Sequence, residues 1–178
     1  MNIPSRYDAL AMSLHWIMAL LIIGLWCLGL VLEDLPKGDL RGQMFGLHKA
    51  FGTIVLILAA TRLTWRLTHS APPLPDGMPG LERLAAKAGH AALYLLMIAL
   101  PLDGILMSQT GGREVSVFGW VAPTLMGKND FWHEVFEDGH GLLAWALAAI
   151  LVGHVLAALR HHFVVKDDVL ARMLPGGK

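Results

Sequence analysis

"EDGHGLLAWALAAILVGHVLAALRHH", from Glu137 to His162, decides the reading of this sequence. Leu, Ala, Val and Ile fill most of it, and about 20 mostly apolar residues are enough to cross a roughly 30 Å hydrocarbon core as a helix. Yet the stretch carries His140 and His154, and polar side chains in hydrocarbon are costly unless paired. At about 1.5 Å and about 100° per residue, the interval between them rises about 21 Å and returns to within about 40° of one helix face. That face offers an imidazole near each membrane surface.

The rest of the chain fits the same solvent. Of 178 residues, 55% are hydrophobic and 16% charged, and the mean hydropathy is +0.54, too apolar for an ordinary soluble domain. Zero formal charge excludes a strongly basic nucleic-acid surface. Cys27 is the only cysteine, which excludes an internal disulfide, a thiolate cluster and a C-x-x-C-H haem attachment. Apolar runs predict spans over residues 11–32, 45–67, 84–107 and 140–163. The expected fold is therefore all-α, a four-transmembrane-helix bundle in which residues 1–178 form one membrane domain. The first run is too long for a signal-peptide core and lacks a cleavage pattern before "EDLPKGD", so it is expected to be retained. The linker "THSAPPLPDGMPG" breaks any helix. The long segment between spans three and four, with Phe118, Trp120, Phe131, Trp132 and Phe136, is expected to lie on the membrane surface.

Basic residues set the orientation. With the N-terminus inside, Arg6, Arg62, Arg66, Arg83, Lys87, Arg160, Lys166, Arg172 and Lys178 all fall on the cytoplasmic side, against Lys37, Arg41, Lys49, Arg113 and Lys128 outside. The positive-inside rule then places both termini in the cytoplasm.

His15 lies near the inner end of span one, at a depth like that of His154, and His48 lies near the outer end of span two, at a depth like that of His140. A lone histidine in a span more often hydrogen-bonds a neighbouring helix. Two cross-helix pairs at matched depths suit axial ligation of haem iron from both faces, with neither axial position left for oxygen and a chemistry of electron transfer. Gly46, Gly52, Gly139, Gly141 and Gly153 leave room for a flat macrocycle. Zinc needs three or four ligands at one point, which separated pairs do not supply. His90 competes as an inner ligand or as a hydrogen-bond donor to a propionate or quinone. His133 is expected at the interface, His161 and His162 at a solvated helix end, and His69 exposed. Pro101 and Asp103 mark a kink or a polar pocket in span three.

"SLHW" in span one, "LHKAFG" opening span two, "GH…LY…IALP" in span three and the final helix followed by "LRHHFVVKDDVLARMLP" resemble the prokaryotic cytochrome b561 family along essentially the whole chain. The resemblance implies a protein of the bacterial inner membrane with two haem b groups, held by His15 with His154 and by His48 with His140. It also implies oxidation of periplasmic superoxide to oxygen with ubiquinone as the electron acceptor. The other activity in the family is that of a cytochrome b subunit and membrane anchor, exchanging electrons between quinone and a separate dehydrogenase. For an anionic donor, Lys49 and Arg41 are candidate steering cations, although such side chains also reach for lipid headgroups.

Overall fold

The computed structural model describes residues 5–176; Lys178, counted above on the cytoplasmic side, lies outside them. Four long helices dominate: α1 (Ala9–Leu32), α2 (Asp39–Thr68), α3 (Gly80–Thr110) and α4 (Asp130–Arg160). All four are long and apolar enough to cross a membrane, and in hydrocarbon a helix satisfies its own backbone. Asp8 caps α1 by accepting from the Ala11 amide at 2.9 Å, and Asn129 caps α4 by accepting from Trp132 N at 3.1 Å, as side-chain oxygens do at helix starts.

Each helix reaches beyond the apolar run that announces it, and α4 does so most. It begins at Asp130, ten residues before the expected start, so Phe131, Trp132 and Phe136 ride on its first turns and not on a surface loop. The first half of the outer segment folds onto the end of the bundle. A two-stranded hairpin, β1 (Ser116–Val117) with β2 (Trp120–Val121), turns through Phe118 and Gly119 at positive φ, as a two-residue hairpin requires. Val115 and Ala122 beside it are buried against Ile105 of α3, with Leu56 of α2 packed on them. Gln109, buried at the end of α3, donates to Pro123 O at 2.9 Å and accepts from Leu125 N at 2.8 Å. The segment is thereby fastened along its length.

At the other end the segment before α1 and α1 itself meet the segment that follows α4. Arg6 donates to Leu174 O at 2.6 Å, and Trp16 Nε1 donates to Met173 O at 2.8 Å. Beyond α4 a five-residue π-helical turn, His161–Val165, ends at Lys166 in the left-handed region. The turn tucks His161 inward, where Nδ1 lies 2.6 Å from Asp167 Oδ2. His161 is thus a partnered tail residue and not a solvated one, whereas His162 is exposed as expected. Pro101 leaves α3 unbroken.

Packing among the helices is uneven. Met18, Ala59 and Met97 form a buried cluster that joins α1, α2 and α3. Among the described residues α4 packs closely along α3, with no comparable seam against α1 or α2, and Leu147 is its one buried residue. A gap therefore separates α4 from the first two helices.

Candidate functional site

The histidines face one another across that gap. His15 of α1 and His154 of α4 have ring centroids 6.1 Å apart, and His48 of α2 and His140 of α4 have theirs 6.2 Å apart. The interplanar angles are 65° and 70°. An imidazole nitrogen stands about 2 Å from a bound metal, and the ring centre about 1 Å further back, so two rings on one ion place their centroids about 6 Å apart. Both pairs have this spacing, and both join α4 to a helix with which it shares no extended seam. Between the two levels Trp26 of α1 meets Trp145 of α4 edge to face at 5.3 Å.

The surroundings also suit a flat macrocycle. A methyl group built at Gly46, Gly52, Gly141 or Gly153 would meet nothing within 4 Å, and one at Gly29 would rest 3.5 Å from His48 Cε1. Gly29 was not singled out from sequence, because its partner is 19 residues away on another helix. Gly139, expected to be another open position, instead faces Asp103. No group of three or more His, Cys, Asp or Glu side chains among the described residues could hold a metal ion by itself. The donor set is two imidazoles per site, without thiolate, and it fits bis-imidazole haem.

The remaining histidines take separate places. His90 of α3 stands 5.5 Å from His154, ring to ring, and so borders the inner pair. His133 Nδ1 donates to Met107 O at 2.9 Å, a carbonyl that also accepts the Gly111 amide at 3.1 Å, and so joins the start of α4 to the end of α3. His69 stacks on Trp65 at 3.5 Å.

Asp103 is the acidic residue closest to either pair. Its Oδ2 lies 3.4 Å from His140 Nδ1, with the two side chains 13% and 24% exposed. A carboxylate inside a transmembrane helix is costly unless paired, so its place beside a candidate ligand calls for a reason. On the outer face, Lys49 Nζ donates to Glu114 O at 2.8 Å and to Ser108 Oγ at 3.3 Å. Arg41 donates to Leu35 O at 3.3 Å and lies over the Phe45 ring. Both candidate steering cations thus have partners within the fold.

A family model described as prokaryotic cytochrome b561 matches residues 6–176. A protein of Escherichia coli, cytochrome b561 homolog 2, is 38% identical over 176 residues, covering 97% of this chain and 93% of its own. Probable superoxide oxidase CybB of Yersinia pestis is 33% identical over 171 residues, covering 96% of each chain. A probable Ni/Fe-hydrogenase B-type cytochrome subunit of Cupriavidus necator is 29% identical over 118 residues, 64% of this chain and 46% of its own.

Proposed function

Because the chain belongs to the prokaryotic cytochrome b561 family of haem-binding membrane electron-transfer proteins, we propose that it holds two b haems and carries electrons from superoxide, outside the bacterial inner membrane, to ubiquinone. The observation that carries this reading is the pair of imidazole pairs at two levels of one helix. His15 and His154 would hold the inner haem, and His48 and His140 the outer. Haem bound there would supply a one-electron couple at each level. The rise along α4 sets the separation of the two levels at about 21 Å. In the net reaction two superoxide anions each lose one electron and leave as oxygen, and one quinone takes up two electrons and two protons.

The specific donor is supported by the likeness to a probable superoxide oxidase along nearly the whole chain. A cytochrome b subunit working with a separate dehydrogenase is the second reading. The partial match to a hydrogenase cytochrome subunit favours it, as do the exposed Phe118, Trp120 and Phe131 at the outer end, which suit a protein partner.

The test is rapid mixing of the purified protein with a superoxide source, with and without a quinone analogue, while the haem bands are followed. Reduction by superoxide and reoxidation by quinone are expected. No response to superoxide, together with a co-purifying dehydrogenase, would overturn the oxidase reading in favour of the subunit.

A further inference from the structure

We propose that Asp103 is a positioning residue for the outer haem: it accepts a hydrogen bond from His140 Nδ1–H, turns Nε2 towards the iron, and lowers the reduction potential of that haem. The inference rests on the reading of His140 as an iron ligand.

His140 Nδ1 and Asp103 Oδ2 are both buried, neither has a hydrogen-bond partner, and they face each other at 3.4 Å. A neutral imidazole has one donor nitrogen and one acceptor nitrogen, so a proton held on Nδ1 leaves the Nε2 lone pair for a metal. Buried polar groups left without partners are rare, and here two complementary ones stand together.

Glycines on both helices clear the ground for this pair. On α3, Gly104 follows Asp103, and a methyl group there would lie 2.8 Å from His140 Cε1. On α4, Gly139 precedes His140, and a methyl group there would lie 3.0 Å from Asp103 Oδ1. Each helix therefore presents one functional side chain and, next to it, the small residue that admits the functional side chain of the other. Among the described residues His15, His48 and His154 have no carboxylate within ion-pair distance. The arrangement makes one ligand of four different from the rest.

A carboxylate accepting from a ligand histidine fixes its tautomer and ring orientation and raises its basicity. A more basic ligand and a nearby negative charge both favour the ferric state. The outer haem should accordingly lose potential relative to a protein without the charge, and the inner haem should not.

Redox titration of the haem-loaded Asp103→Asn protein tests this, with the outer haem identified as the one lost in His140→Ala. The change keeps size and an acceptor oxygen but removes the charge. The outer haem should become about tenfold easier to reduce, about 59 mV for a one-electron couple, and its ferric EPR g values should move while those of the inner haem stay. Asp103→Glu, which keeps the charge, should return the potential towards wild type. If Asp103→Asn does not accumulate, Gly139→Ala displaces the carboxylate without removing it and must raise the outer potential as well. Wild-type potentials in Asp103→Asn or Gly139→Ala, or equal shifts of both haems, would overturn the proposal. Retention of both haems in His140→Ala would instead overturn the ligand reading beneath it.

Discussion

Lys49 Nζ is 2.8 Å from the carbonyl oxygen of Glu114, so the cation that follows His48 in sequence fastens the outer hairpin to α2. Hydrogen bonds from charged donors contribute about 2 kcal/mol each. Lys49→Met should therefore raise amide exchange across residues 113–122 and leave α1 protected. Protection equal to wild type would show that the lysine holds nothing there. Neutralising Lys49 and Arg41 together should also slow haem reduction by superoxide at low salt, because steering raises the encounter rate of an opposite charge. Added salt should then slow the wild type more than the double variant, since about 0.15 M salt screens exposed charges beyond about 8 Å. Equal rates in stopped flow at low salt would remove the steering idea.

Gly111 makes a separate case at the junction of α3 and α4. A methyl group there would lie 2.9 Å from His133 Cε1, against a ring already bonded to Met107 O. Overpacking of this kind costs about 1–3 kcal/mol, so Gly111→Ala should lower the thermal midpoint in detergent. Gly127→Ala, where the added carbon meets nothing within 4 Å, serves as the control. Identical midpoints for the two variants would contradict the packing described.

The tail should matter to the inner haem. Trp16, beside the candidate ligand His15 at 5.1 Å, donates to Met173 O at 2.8 Å, and Arg172 is bound to Asp168 and to Pro73 O. Removal of residues 166–178 frees Trp16 and uncovers the inner end of the bundle. Loss of the packing that holds His15 should quicken transfer of the inner haem to an acceptor globin. The outer haem should be retained as before; acceleration of both alike would point to general unfolding.

Much of the architecture is legible in the sequence because hydrocarbon imposes a simple rule, long apolar runs with helical backbone, and the four helices follow it. The matched depths of the four histidines are legible for the same reason, since a span fixes height along the membrane normal. The early start of α4 is less so: "DFWHEVFED" is too polar to register as membrane, and Asn129 as a cap is a weak local cue beside it. What sequence does not carry is rotation and neighbourhood. Asp103 against His140, Gly29 under His48, Trp26 on Trp145 and Lys49 on Glu114 are contacts between elements, set by how the helices turn towards one another. The inward tuck of His161 depends on the π-helical turn, which nothing in "RHHFVVKDD" announces.

The measurement closest to the central claim, two b haems held by two imidazole pairs, is the haem-to-protein ratio of the wild type beside its single histidine variants. The wild type should give two haems per chain by pyridine haemochrome, extractable with acid acetone because no thioether link is available. His48→Ala and His140→Ala should each fall to about one haem with similar remaining spectra. His15→Ala and His154→Ala should share the complementary spectrum. One haem in the wild type, or spectra in which His48→Ala matches His154→Ala, would contradict the account.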